Sequence, residues 1–570
     1  MEPTTKGSGR RPSGMARYGP VVGIVAVAAV VAVAVVVLGG GDGDGPPGPG
    51  QGAGGAGSPP AGVVSWSDAV AAGTVDGIDW GSRCDTSRGR LAYPSFFAGE
   101  CYAPFDGDNG GATAPGVTAD SIKVVQYLTP ENDPVIDFIT REIATDDTNA
   151  ETADTLRGFT EFYQAFHETY GRRVDLVIFE GTGPSEDEVA ARADAVTIAE
   201  QIRPFAVLGG PLLTPAFADE LAARGVLCIG CTPGQSDRFY QERSPYVWGV
   251  TNNPEQGQAH VAEYIGKRLA GRPAQHAGDP ALQPRERVFG LVYLTTGAES
   301  ERVVEVFEGR LADRGVQLAE VLSYPSPVEL QTSAPQLIAR LKSAGVTSVV
   351  FAGDPVAPGA LTRAATDQGY FPEWVVTGSA LVDTTTFART YDQRQWAHAF
   401  GVSTLAARVS PDVAGAAWLY EWYFGTPPPA ATGAPTLVPA LNLFFVVIQA
   451  VGPNLTPETF RDALFAADPT PRAVSQPSLS YGDKGIWPST DYLGIDDATE
   501  IWWDPNATGP DEIGRQGTGM YRYVDGGRRY LPGAWPDTPP AVFDPAGTVT
   551  IYTEPPPGET VPDYPSPRGR

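Results

Sequence analysis

The sequence predicts an α/β protein with two doubly wound parallel-sheet lobes, joined by a hinge around an interlobe cleft and preceded by one transmembrane helix. Three observations support this fold class. Strand-like runs such as "RVFGLVYLTTG" (287–297) are continuously apolar, as in strands that are covered on both faces. Helical patterns alternate with these runs, and the same order of strands and helices occurs twice. An apolar run of 18 residues, 21–38, precedes both copies.

The run at 21–38 carries no charge and would span roughly 27 Å as a helix, close to the thickness of a bilayer core. The residues before it are basic and those after it are acidic, which places residues 1–20 in the cytoplasm and the body outside the cell membrane. A cleaved signal peptide is the alternative. The length of the run and the lack of an A-x-A-like site favour an uncleaved single-pass anchor, followed by a Gly/Pro tether at 39–60.

The composition also fits an exported protein. The formal net charge is −27 and the isoelectric point is about 4.5, which argues against a nucleic-acid partner. The chain beyond residue 60 is long enough for two or three domains with sizeable cores.

Four cysteines lie on the predicted extracellular side, where disulfides persist. Redox chemistry and metal binding are the alternatives for Cys228 and Cys231. Thr232-Pro233-Gly234 follows them and favours a turn over the helix that a redox motif requires, and no histidine lies near for zinc. We therefore predict structural disulfides. Among three connectivities the local one pairs Cys228 with Cys231, and Cys84 with Cys101 in an N-terminal extension at 61–118.

Each repeat predicts one lobe. The first copy has strands at 122–130 and 173–181 around a helix at 155–171, and the second has strands at 287–297 and 316–324 around a helix at 300–315. Two further strand–helix units follow in the same order in both copies. We predict that lobe 1 comprises 119–253 and 383–475, and that lobe 2 comprises 254–382 and 476–505.

The carboxyl ends of the predicted strands carry loops rich in Gly, Thr, Ser and Pro. Ligands gather at this edge of open parallel sheets, because backbone N–H groups and helix N-termini point outward there. The five loops are at 208–215, 229–234, 293–298, 352–358 and 377–382. Their convergence on one cleft predicts a small-molecule site between the lobes.

The C-terminal part predicts helices first and then irregular chain. Buried helices are expected at 413–425 and 437–452, the second as a core helix and not a membrane span. Residues 506–570 are expected to form a hairpin that turns at Asp525-Gly526-Gly527, and then a proline-rich, largely extended tail.

The order of these units resembles the branched-chain amino-acid-binding family of extracellular solute receptors, which has the type I periplasmic-binding-protein fold. The resemblance covers roughly residues 115–505. It rests on "PGVTADSIKVVQYL" (115–128), "SPYVWGVTNNPEQGQAHVAEYI" (244–265) and the predicted closing hairpin at 477–505. Together with "GDNGGAT" (107–113), it is greatest to membrane- or wall-associated members from high-GC Gram-positive bacteria.

The resemblance implies a ligand-binding role for several loop residues. In that family one lobe holds the ligand carboxylate through backbone N–H groups and hydroxyls, and the other lobe adds an aromatic or acidic group. The matching positions are Gly210, Leu213, Thr214, Cys231 and Thr232 in lobe 1, and Thr295, Thr296, Asp354 and Ser379 in lobe 2.

This sequence departs from the family at the carboxylate that pairs with the ligand's ammonium group. Ser379 and Ala380 stand at that position, and only Asp354 or Asp383 could take over. A buried ammonium without a partner is costly. If neither carboxylate reaches the ligand, we expect the ligand to be neutral or anionic.

The predicted function is a solute-binding receptor that captures a small polar metabolite, with an ABC permease as partner. A ligand sensor or envelope protein of the same fold is the alternative. No Walker loop, G-x-S-x-G or H-E-x-x-H motif is found, and "DPNATG" (504–509) lacks the glutamate of a calcium loop because Arg515 stands there. We predict no catalytic residues, no metal and no cofactor.

Overall fold

The computed structural model describes residues 63–143, 146–295, 297–432 and 436–568. The predicted anchor at 21–38 and its tether lie outside these ranges. Within them, no helix is both long and apolar enough to cross a membrane. The described chain forms two large sheets with helices packed on them, and a small two-stranded sheet in the N-terminal extension.

The extension precedes the first large sheet. It contains α1 (Trp66–Ala72) and the antiparallel pair β1 (Cys84–Asp85) and β2 (Arg90–Leu91). A disulfide joins Cys84 to Cys101, as predicted. The Arg83 guanidinium donates to the Glu168 carboxylate at 2.7 Å and so connects the extension to the first lobe.

The first lobe is an all-parallel sheet of five strands in the order β4-β3-β5-β6-β7. Its elements are β3 (Ser121–Leu128), α2 (Pro134–Thr140), α3 (Asn149–Phe166), β4 (Arg173–Glu180), α4 (Glu188–Thr197), β5 (Ala206–Leu208), α5 (Ala216–Ala223), β6 (Leu227–Ile229), α6 (Asp237–Gln241) and β7 (Val247–Trp248). The repeat in the sequence correctly predicted β3, α3 and β4. Strand β3 is buried over most of its length because it lies inside the sheet.

The second lobe has eight strands, seven of them in the order β14-β13-β12-β11-β10-β8-β9, with β15 pairing β13. Its first elements are α7 (Pro254–Tyr264), β8 (Phe289–Leu294), α8 (Ala298–Ala312), β9 (Leu318–Tyr324), α9 (Pro327–Ser343), β10 (Ser348–Ala352), α10 (Ala357–Asp367), β11 (Glu373–Val376), α11 (Thr385–Ala388), α12 (Gln393–Trp396) and β12 (Ala399–Ser403). Strands β8 to β12 are parallel to one another. The predicted boundary at residue 383 is wrong, because β12 pairs with β11 and its residues are buried in the second lobe.

The chain then returns to the first lobe as α13 (Ala416–Phe424), α14 (Val438–Val451) and α15 (Pro457–Ala466). Nearly all of α14 is buried in the core of the first lobe, which agrees with the predicted core helix. Residues 476–495 also belong there and not to the second lobe as predicted, because Leu479, Tyr481 and Leu493 pack in the same core.

The final strands complete the second sheet as an antiparallel edge. They are β13 (Ala498–Pro510), β14 (Gln516–Tyr523) and β15 (Arg529–Tyr530). The chain does turn at Asp525-Gly526-Gly527, where all three residues have positive φ. The predicted hairpin is nevertheless wrong, since β14 and β15 follow one another along the same edge of β13, opposite β12, and do not pair with each other.

The C-terminal tail lacks regular secondary structure in its described residues, and it packs on the protein. In the described residues 531–568 there is no helix or strand. Trp535, Val542 and Glu559 are nonetheless buried. The density of prolines therefore prevented regular structure without preventing burial.

Candidate ligand-binding site

A cavity of about 1240 Å³ opens at the carboxyl edge of the first sheet. Lobe 1 contributes the end of β3 with the loop after it (126–133) and the loops after β5 and β6. The second wall is the segment 406–417, which carries the chain from the second lobe back to the first. The third wall consists of the β13–β14 turn (510–516) and tail residues between 551 and 561. The cavity therefore lies where the lobes and their connecting chain meet.

Gly210 is the predicted residue that lines this cavity. A Cβ atom at this position would lie 2.6 Å from the Cys231 carbonyl oxygen, so the loops after β5 and β6 approach too closely for a side chain. Cys231 is bonded to Cys228, which confirms the predicted disulfide. This disulfide thus supports the loop after β6, which is one of the two loops at the cavity floor.

The other predicted residues of lobe 1 are buried beside the cavity. Leu213, Thr214 and Thr232 are at most 6% exposed. Leu213 packs into the core of the second lobe, next to Ile136 and Phe138. The loop after β5 therefore makes a direct contact between the lobes.

Several buried polar atoms at this edge have no hydrogen-bond partner among the described residues. They are Gln126 Oε1, Ser185 Oγ, Glu186 Oε2 and Thr232 Oγ1. An unpaired buried polar atom costs about 1–3 kcal/mol, so such groups are usually satisfied by a ligand or by water. Gln126 lies near the end of β3, Ser185 and Glu186 follow β4, and Thr232 follows β6, so these atoms are candidate partners for a ligand.

Gln126 is the one of these residues that lines the cavity, and it is 1% exposed. Its amide nitrogen donates to the carbonyl oxygens of Tyr127 and Leu208 at 3.1 and 3.0 Å, which leaves Oε1 as an unused acceptor. Our sequence reasoning missed this residue. The available signal was a single amide inside the apolar run "IKVVQYL".

The predicted residues of lobe 2 lie apart from the described cavity lining. Asp354 is fully buried, and its Oδ1 accepts the N–H groups of Val356 and Ala357 at 2.9 Å each. Its Oδ2 accepts the Tyr324 hydroxyl at 2.6 Å. Burial raises the pKa of this carboxyl. Asp354 therefore accepts hydrogen bonds from the backbone at the start of α10 and is not part of the described cavity lining.

The remaining positions in lobe 2 serve loop structure. The Ser379 hydroxyl accepts the Gly353 N–H at 3.1 Å, and the Thr295 hydroxyl lies 3.4 Å from the Ser300 hydroxyl. Thr296 lies outside the described residues. Asp383 is 3% exposed and accepts the Ser403 hydroxyl, and burial raises its pKa to about 6. Both carboxyls that could have met an ammonium group are thus internal.

The cavity lining is nevertheless rich in other carboxyl groups. They are Glu131, Asp133, Asp137, Asp147, Asp412, Asp511, Glu512 and Glu559. Arg408 is the one basic side chain in the described lining. Within the described ranges, no group of three or more His, Cys, Asp or Glu side chains could hold a metal ion.

No protein-family model matches the chain, and no curated protein matches it. The structure is similar to a solute-binding protein of an ABC transporter from Rhodopseudomonas palustris BisB5, in complex with 3,4-dihydroxy benzoic acid. The identity is 12%, the TM-score 0.47, and the match covers 72% of this chain and 97% of that chain.

Two further solved structures are similar to the same extent. One is the branched-chain amino acid transporter substrate binding protein LivJ from Streptococcus pneumoniae in complex with isoleucine, at 12% identity and TM-score 0.46 over 71% of this chain and 100% of that one. The other is a fatty acid ABC transporter substrate-binding protein from Thermomonospora curvata, at 13% identity and TM-score 0.46 over 72% and 92%. We assign the α/β fold class from the strand order of the two sheets and not from these similarities.

Proposed function

We propose that the protein is an extracellular solute receptor of the type I periplasmic-binding-protein kind, which holds a small molecule between its lobes for an ABC importer. One observation carries the proposal. The cavity at the carboxyl edge of the first sheet is lined by both lobes and their connecting segment, and the lining residue Gln126 has a buried Oε1 without a partner among the described residues. A ligand that supplies a donor there would remove the cost of that unpaired acceptor.

The connections between the lobes support a hinge. The chain passes between the two sheets after β7, after β12 and before β13. A ligand that contacts both lobes binds the closed arrangement more tightly than the open one and shifts the population toward it. A permease that recognises the closed arrangement would then receive loaded receptors in preference to empty ones.

A native mass spectrum of the protein purified from its own cells tests the function. We expect one small molecule bound per chain. In Ala417→Trp an indole enters the cavity from the start of α13, and this variant should lose the molecule. Ala119→Trp is the matched control, because Ala119 is exposed and does not line the cavity. A native mass that shows no molecule bound to the wild type, or equal occupancy in Ala417→Trp, would contradict the proposal.

We also propose that residues 21–38 anchor the receptor in the cell membrane, with the body outside. The uncharged run and the opposite charges on its two flanks support this topology. A protease added to intact cells should digest the body and spare residues 1–20. A mature protein recovered from the medium, starting after the run, would instead show a cleaved signal peptide.

A further inference from the structure

The basic side chain at the cavity is already engaged. The Arg408 guanidinium donates to the carbonyl oxygens of Pro510 and Asp511 at 2.9 and 2.6 Å. Its Nε lies 3.7 Å from the Glu512 carboxylate. A ligand carboxylate would have to displace these contacts to gain a cationic partner. No other Lys or Arg lines the cavity in the part of the chain that the structure describes.

Some of the lining carboxylates are engaged by the protein as well. Glu512 accepts the N–H groups of Thr385 and Thr386 at 2.9 Å each. Asp511 pairs with the Arg515 guanidinium at 3.0 Å. These two carboxylates hold the β13–β14 turn against the second lobe. Both carboxylates therefore serve the structure of the protein.

Asp137 and Asp412 differ from these, because both are exposed at the cavity wall. The Asp412 carboxylate is 3.5 Å from the Ser410 hydroxyl, and the Asp137 carboxylate accepts no hydrogen bond from any residue in the described ranges. They can therefore interact with a ligand without breaking an internal contact. An organic anion placed beside them would be repelled and would find no free cation.

The rest of the lining is largely apolar. Its side chains include Phe96, Tyr127, Ile136, Leu212, Val250, Leu419 and Leu437. The cavity of about 1240 Å³ also exceeds the roughly 300–1,000 Å³ typical of drug-sized ligands. A free amino acid would leave most of this surface unfilled. A ligand with an extended hydrocarbon or aromatic body would fill it.

We infer that the cavity selects a ligand with a large apolar body and a neutral or positively charged polar end, and that it rejects organic anions. The inference rests on the proposed receptor function of the cavity. The polar end would donate a hydrogen bond to Gln126 Oε1 or face Asp137 and Asp412. This revises the expectation from the sequence, which admitted anionic ligands because it considered only Asp354 and Asp383.

Three ligands with the same ten-carbon body test the inference: decylamine, 1-decanol and decanoate, each below its critical micelle concentration. Thermal unfolding of the full chain, followed by tryptophan fluorescence, reports binding. Decylamine and decanol should raise Tm by at least about 2 °C. Decanoate should leave Tm unchanged, and its Kd should be at least ten times higher than that of decylamine.

A charge variant assigns the preference to the cavity. The double variant Asp137→Asn, Asp412→Asn should lose most of the at least tenfold preference for decylamine over decanoate. The control variant Asp120→Asn, Asp563→Asn removes two exposed carboxylates outside the cavity lining and should keep that preference.

Stabilisation by decanoate equal to that by decylamine would overturn the inference, and so would binding of none of the three ligands. A co-purified carboxylic acid would overturn it while supporting the receptor function. If the purified protein carries no small molecule but added decylamine binds to it, the proposed receptor function would be contradicted. The inferred ligand preference of the cavity would still hold.

Discussion

At the scale of single residues, the chain buries carboxyl groups where the first lobe meets the second sheet. Asp496 is fully buried and accepts the Ser480 hydroxyl at 2.7 Å and the Trp487 indole N–H at 3.0 Å. Burial raises the pKa of the Asp496 carboxyl to about 7. The neighbouring Asp497 has a cationic partner, the Arg529 guanidinium at 2.8 Å. The ionised Asp496 carboxylate therefore lowers the stability of the folded protein at neutral pH.

We predict that Asp496→Asn flattens the dependence of stability on pH. Because the folded pKa lies above the unfolded value, the stabilisation from the protonated form is complete below about pH 4 and is lost as the pH rises through about 7. Asparagine carries no charge: its amide oxygen can accept the Trp487 N–H, and its NH₂ group can donate to the Ser480 hydroxyl. Urea unfolding should therefore show a variant that is more stable than the wild type at pH 8, by on the order of a few kcal/mol.

Asp483→Asn is the control for this prediction, since Asp483 is exposed in the same segment. It should leave the pH dependence of the unfolding free energy unchanged. Parallel curves for the wild type and Asp496→Asn between pH 4 and 8 would show that Asp496 does not titrate in this range.

At the scale of elements, local pattern predicted the strands and helices better than it predicted their partners. The repeat placed β3, α3, β4 and β8 correctly, because buried parallel strands and amphipathic helices differ in their apolar periodicity. The lobe to which β12 belongs depends on pairing with β11, a contact that periodicity does not encode. The cavity was predicted least well, since the segments 406–417 and 510–516 carry no motif.

Asp354, at the start of α10, was predicted to bind the ligand, but its carboxylate accepts hydrogen bonds from within the protein. We predict that Asp354→Ala destabilises the protein by about 3 kcal/mol, because it removes the helix cap and leaves the buried Tyr324 hydroxyl without its acceptor. Asp354→Asn should cost about 1 kcal/mol, since it keeps an acceptor for the cap. Urea unfolding measures both changes.

Neither substitution should alter the amount of the molecule bound in the native mass spectrum, because Asp354 does not line the cavity. Loss of the molecule from a folded Asp354→Asn protein would show that Asp354 contributes to ligand binding.

At the scale of the whole molecule, the C-terminal tail joins the two lobes. On the second lobe, the Trp535 N–H donates to the Glu263 carboxylate at 3.1 Å. The tail then passes the cavity at Pro555 and Pro556. On the first lobe, the Trp422 indole donates to the Tyr564 carbonyl oxygen at 2.9 Å. The Tyr564 hydroxyl donates to Asp85 of the N-terminal extension at 2.6 Å. The tail is therefore a further link between lobes that the hinge segments already connect.

We predict that ending the chain at Tyr552 loosens the lobes without unfolding them. Amide hydrogen exchange in 406–417 should become several-fold faster, because one wall of the cavity is gone. Exchange in β3 and β10 should not change, since both strands lie inside their sheets. Asp563→Asn in the full chain is the control. Faster exchange in β3 or β10 would mean that the tail is needed for folding of the lobes.

We propose that both lobes hold one small molecule in the cavity at the carboxyl edge of the first sheet. The most direct test is hydrogen exchange of the full chain, first stripped of its co-purified molecule and then reloaded with it. We predict that reloading slows exchange together in 126–133, 406–417 and 510–516, which come from the first lobe, the connecting segment and the second lobe. Slower exchange in one lobe alone, or only outside these segments, would contradict the claim.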